Sequence, residues 1–124
     1  MKKLNAPAVL NKVKFEKFKV SNEEVIELYR VPTTKGCLEI VRLKKGNYPP
    51  HIHDKANAKL YILSGSGKLF LNKKKKDYRE GDIINIPKGI SHGFSVRKAT
   101  IMLSIQSKQI LNKETEKIDL RYKK

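Results

Sequence analysis

The sequence predicts an all-β domain, a sandwich or small barrel of short antiparallel strands. Three observations carry that expectation. Apolar residues fall in short runs of period two, as in Cys37 to Leu43 and Ala99 to Gln106. Glycine and proline punctuate these runs at Gly36, Gly46, Gly65, Gly81 and Pro87. A chain of 124 residues suffices for one core but not two, and no stretch approaches the ~20 consecutive apolar residues of a membrane-spanning helix.

The elements follow in order. Residues 1–12 read as an N-terminal arm; Lys2 and Lys3 are present, but Pro7 interrupts the apolar run, so no secretory signal is expected. Residues 13–106 hold the barrel. Val13 and Phe15, then Phe18 and Val20, keep a period of two but slip in phase, which fits a bulged strand. Ser21 and Glu24 resemble a helix-capping pair, yet Val25 to Val31 also alternates as a strand. The strand is preferred, because Pro32 to Gly36 is a turn and Cys37 to Leu43 a second strand behind it. Gly46 to Pro50 reads as a loop. Ala58 to Ser64 is a strand, Gly65-Ser66-Gly67 a break with the look of a tight hairpin, and Lys68 to Asn72 resumes. Lys73 to Lys76 are like charges that cannot share a core, so an exposed hairpin tip is expected. Gly81-Asp82 opens a strand that Pro87 ends, and His92 to Val96 and Ala99 to Gln106 are the last two. Residues 107–124 alternate poorly and are expected as a C-terminal tail or short helix.

Lysine and arginine number 28 against 12 acidic residues, a formal charge of +16. The lysines are spread along the chain and outnumber the arginines that base-reading proteins favour, so nucleic acid is not the expected partner and a solvated basic surface is. A single cysteine, Cys37, cannot form an internal disulfide, so a cytoplasmic location is the default. Its place in an apolar strand predicts a buried, inert thiol.

The three histidines occupy two short places. His51 and His53 are two apart, so on a strand both rings point to one face. His92 opens a strand whose Phe94 and Val96 share its face. If that face is inward, three imidazoles meet, a donor set suited to a transition-metal ion.

Two blocks between Gly46 and Val96 resemble the cupin family. The first family block runs from a glycine through H-x-H and a glutamate to a second glycine. Here it reads Gly46-Asn47-Tyr48-Pro49-Pro50-His51-Ile52-His53, then Lys59 to Gly67. The second runs glycine, P-x-G, histidine, asparagine, and here Gly81, Pro87-Lys88-Gly89 and His92 match it in spacing. The resemblance implies a small jelly-roll β-barrel that pairs into homodimers. It also implies a metal site of His51, His53 and His92. Ala58 stands where the family has its metal-binding glutamate, and Val96 where it has asparagine. Asp54 or Asn57 could replace the carboxylate only if their loop bends back.

Three neutral imidazoles and no carboxylate would leave a divalent ion (iron, zinc, nickel, manganese or copper) at a charge of about +2, suited to an anionic group. The expected function is therefore metal-dependent action on a small, anionic organic substrate, of the dioxygenase or sugar-isomerase kind, with the basic surroundings drawing it in. The alternative is a metal-free small-ligand binding or sensing module. Leu60, Ile62 and Phe94 are expected to line the pocket, Lys59 and Tyr61 to lie outside, and Tyr48 to be an exposed loop tyrosine, with gating of a pocket mouth as the alternative.

Overall fold

The computed structural model describes residues 14–19, 25–112 and 117–122. Every regular element among them is a strand: β1 Glu16–Lys19, β2 Val25–Pro32, β3 Cys37–Leu43, β4 Gly46–Ile52, β5 Ala58–Leu71, β6 Lys74–Arg79, β7 Ile83–Ile86, β8 His92–Gln106, β9 Leu111–Asn112, β10 Lys117–Ile118 and β11 Arg121–Tyr122. All pairings are antiparallel. The chain is the expected all-β jelly-roll barrel. The 1–12 arm, Val13, Val20 and the Ser21–Glu24 pair lie outside the described residues.

β5 and β8 pair along nearly their whole length and each serves two halves of one curled sheet. In the first half, Thr100–Gln106 of β8 pair with β3, which leads to β2 and β1, and Ala58–Tyr61 of β5 pair with β7. In the second, His92–Val96 of β8 pair with β4, and Ser66–Leu71 of β5 pair with β6. Between the halves the β5–β8 register shifts three times, from Ile62 to Gly67. Gly65 sits there at φ 97°, and a Cβ on it would lie 2.4 Å from the Ala99 carbonyl oxygen. Bulges bend both strands, so the two halves close over a common interior. That interior holds Leu43, Leu60, Ile62, Leu69, Ile86 and Phe94. Buried Tyr78 contributes a hydroxyl hydrogen bond to Thr100 Oγ1 at 2.7 Å.

Several local expectations change in the fold. Gly65-Ser66-Gly67 neither ends a strand nor flanks a hairpin; it bends a continuous β5. Likewise β8 is one strand from His92 to Gln106. Gly46 to Pro50 is strand rather than loop, and Pro49 and Pro50, which lack N–H groups, fall at the shift in its register with β8. The hairpin tip is Asn72-Lys73, with Asn72 at φ 57°, and Lys74 to Lys76 already belong to β6 with their side chains exposed. Among the described residues of 107–124 there are short strands and no helix. Cys37 is buried, and burial, then the nearby Glu39 charge, pushes its thiol pKa up, as an inert thiol requires.

Gly65→Ala is expected to destabilise the fold by about 2–3 kcal/mol, because a left-handed backbone and a contact under van der Waals distance coincide there. Urea unfolding followed by circular dichroism checks this.

Candidate metal centre and its pocket

The three histidines converge. His51 on β4 and His92 on β8 are directly paired across the strands, and His53 follows just past the end of β4. The close approach depends on Gly93, where a Cβ would meet the Tyr48 carbonyl oxygen at 2.8 Å. Ring centroids lie 4.3 Å apart for His51 and His92, and 4.9 Å from each of these to His53. One ligand nitrogen from each ring lies within 4.8 Å of the others, a group that could hold a metal ion. His53 and His92 are buried and His51 is half-buried.

Each ring has its Nδ1 against a backbone carbonyl. His92 Nδ1 meets Ile90 O at 3.0 Å, His53 Nδ1 meets Asp119 O at 2.6 Å, and His51 Nδ1 meets Pro49 O at a longer 3.4 Å. A carbonyl only accepts, so Nδ1 carries the proton and Nε2 keeps its lone pair. Burial lowers all three pKa values: His51 to about 4, with His53 adding repulsion, and His92 to about 3, with His51 adding repulsion. For His53 the Asp119 carbonyl and the Asp119 and Asp54 charges oppose the effect of burial. Neutral rings with free Nε2 atoms are the state in which imidazole ligates.

The C-terminal segment holds this arrangement in place. Asp119 accepts backbone N–H bonds from Asp54 at 2.9 Å, Lys55 at 2.9 Å and Ala56 at 3.0 Å, fixing the loop after His53. Its own N–H donates to Ile110 O at 2.7 Å. β11 pairs with β4 at Ile52 and His51, and Arg121 pairs with Asp54 at 2.9 Å. The P-x-G turn joins in, since Gly89 N–H donates to His53 O at 2.7 Å.

The family model for the cupin domain matches residues 39–105, more than half of the chain. This protein is a cupin. An uncharacterized protein of Aquifex aeolicus (strain VF5) is 29% identical over 109 residues, covering 87% of this chain and 88% of that one. Among solved structures, the nucleoside dehydratase Pac13 superposes with a TM-score of 0.67 at 16% identity, covering 89% of this chain and 85% of that one. A predicted oxalate decarboxylase from Thermotoga maritima also gives 0.67, at 18% identity over 78% of this chain and 94% of that one. At such identities these structures establish the fold alone.

The cupin's missing carboxylate is not replaced by its neighbours. Asp54 turns to Arg121, and Asn57 Oδ1 accepts the Lys88 N–H at 2.8 Å. The group of candidate ligands among the described residues is His51, His53 and His92 alone. A cavity of about 150 Å³ opens beside them. Leu60 and Phe94 line it as expected, whereas Ile62 packs in the core behind. Tyr48 is not an exposed loop residue: it stands half-buried on β4, lines the cavity and donates its hydroxyl to Lys44 O at 2.9 Å. Lys59 is exposed and Tyr61 half-buried.

Two groups of lining residues escaped the sequence reading. Ile110, Leu111, Ile118 and Leu120 close the pocket from the C-terminal segment; nothing in their poor alternation marks them. Glu39, Ser104 and Gln106 add a polar patch. Glu39 did leave a signal, because it shares the inward phase of Cys37, Val41 and Leu43. No lysine or arginine is among the described residues that line the cavity.

The lowered imidazole pKa values make the metal-free protein acid-sensitive. Unfolded histidine protonates near pH ~6.5, while His51 and His92 in the fold stay neutral down to about 4 and about 3. The unfolded chain therefore binds more protons in that window; stability holds above pH ~6.5 and falls as the pH drops below it. For chelator-treated protein, the urea midpoint is expected to fall between pH ~7 and pH ~5, more steeply than in His51→Gln.

Proposed function

We propose that this cupin holds one divalent metal ion on His51, His53 and His92 and acts there on a small organic molecule. The observation that supports it is the shared orientation of the three rings, each Nδ1 turned to a carbonyl and the ligand nitrogens gathered within 4.8 Å. The chemistry such an ion supplies is Lewis-acid polarisation of an oxygen on a bound molecule. The chain's own part is positional. Asp119 holds the His53 ring through its carbonyl and the adjoining loop through its carboxylate, and the apolar walls keep bulk water from the bound molecule. Oxygenase or isomerase chemistry is compatible with a site of neutral donors open toward a cavity. A cytoplasmic location accords with the lone, buried Cys37.

We also propose a homodimer formed on the outer face of the first sheet half. Val31, Leu38 and Ile105 are neighbours across β2, β3 and β8, and all three are exposed apolar side chains, as are Tyr29 and Ile83 on the next row. Contiguous exposed apolar surface of this kind favours association.

Protein purified without a histidine tag is expected to bind near-stoichiometric zinc, nickel or iron, measured by elemental analysis and calorimetry. His53→Ala abolishes uptake with the circular dichroism spectrum unchanged, and Asp119→Ala, which keeps the carbonyl against His53 but removes the carboxylate that fixes the loop after it, weakens it by about 10-fold. A protein that takes up none of these ions is instead a metal-free binding module. In light scattering the native chain is expected as a dimer and Leu38→Lys as a monomer; a monomeric native chain removes the dimer.

A further inference from the structure

We propose that the pocket takes a small, largely apolar molecule with two polar ends: one that meets the three imidazoles and a hydrogen-donating one, a hydroxyl or amine, that meets Glu39 and Gln106. The first end rests on the metal reading above; the body and the second end do not.

The described lining of the pocket disfavours a sugar phosphate or other polyanion. The chain carries 28 lysines and arginines, yet none is among the described residues lining the cavity. A polyanion would lose its hydration there without a side-chain cation to replace it. The body of the cavity is apolar, with Leu28, Val41, Leu60, Phe94 and Met102 from the barrel and Leu120 from the C-terminal segment. Its volume of about 150 Å³ suits a body the size of one aromatic ring.

The polar patch sits on the first sheet half, whereas His51 and His92 sit on the second. Arg30, Glu39 and Ser104 form one row across β2, β3 and β8, and Gln106 stands two residues beyond Ser104. Arg30 makes a 3.5 Å ion pair with Glu39 and donates to Gln109 Oε1 at 3.2 Å and to the Leu111 carbonyl. It is thus turned to the C-terminal segment and is not a lining residue. Gln106 Nε2 donates to Glu39 Oε1 at 2.7 Å and to Ser104 Oγ at 3.1 Å. Its Oε1 receives only a long bond from Ile110 N, 3.4 Å. The patch has therefore committed its amide donors; Glu39 Oε1 accepts from Gln106 and Oε2 faces Arg30, so the under-used acceptor is the Gln106 carbonyl, with the remaining lone pairs of the carboxylate beside it. A buried acceptor pair of this kind selects a ligand group that donates.

The test is calorimetric titration of zinc-loaded protein with acetohydroxamate, benzohydroxamate, 4-aminobenzohydroxamate and ribose 5-phosphate. Benzohydroxamate is expected to bind at least tenfold more tightly than acetohydroxamate, and the 4-amino group to add a further gain. Glu39→Gln should erase that gain while leaving benzohydroxamate affinity within about twofold. Gln106→Met, which removes the amide acceptor, should also reduce it and serves if Glu39→Gln fails to fold. Ribose 5-phosphate binding most tightly, or an aromatic ring that adds nothing, overturns the proposal. Aniline titrated into chelator-treated protein and followed by ligand-observed NMR reads the pocket without metal. Aniline binding without zinc uptake would remove the metal site and leave the pocket assignment standing; zinc uptake without aniline binding or a ring-dependent gain would do the reverse.

Discussion

The long pairing of β5 with β8 is the constraint on which the rest of the molecule depends. A flat ladder of that length would place His92 and Gln106 far apart along one surface. Three register shifts near Gly65 bend the pair instead, so that its two ends line one cavity. β4 then reaches His92 from one half, and β3 reaches Ser104 from the other. The imidazole trio and the Glu39 patch are both products of this bend.

Inside that cavity the electrostatics differ from those of the surface. The formal charge of +16 lies outside the described lining of the pocket. Within it burial favours the neutral form of all three imidazoles, with repulsion from a neighbouring imidazole adding to it at His51 and His92, while backbone carbonyls choose the tautomer. Neutral nitrogen donors would leave a bound divalent ion its full positive charge, and no lysine is among the described residues lining the cup. This separation of outer charge from inner polarity would suit the pocket to a small, mostly apolar molecule.

Much of this was legible from residues alone. Alternation and turn residues marked the principal strands, and the H-x-H spacing with the later His92 marked the trio. The inward phase of Glu39 was equally visible, but its meaning depended on Gln106, 67 positions away. The glycines at 65 and 67 read as a break because a glycine that bends a strand and one that ends it look alike locally; only the partner strand distinguishes them. Gly46 to Pro50 was misread for the opposite reason, since two prolines usually exclude a strand and here occupy its register shift.

The all-β class, the cupin pattern and the identity of the converging histidines are written in the order of residues, because they rest on periods of two and on spacing within short segments. The tertiary structure alone decided that the C-terminal segment completes the pocket and that Asp119 braces His53. Those contacts join residues more than 60 positions apart. Hydrogen bonds between such distant groups impose no local period on the chain, so only the folded backbone brings them into view.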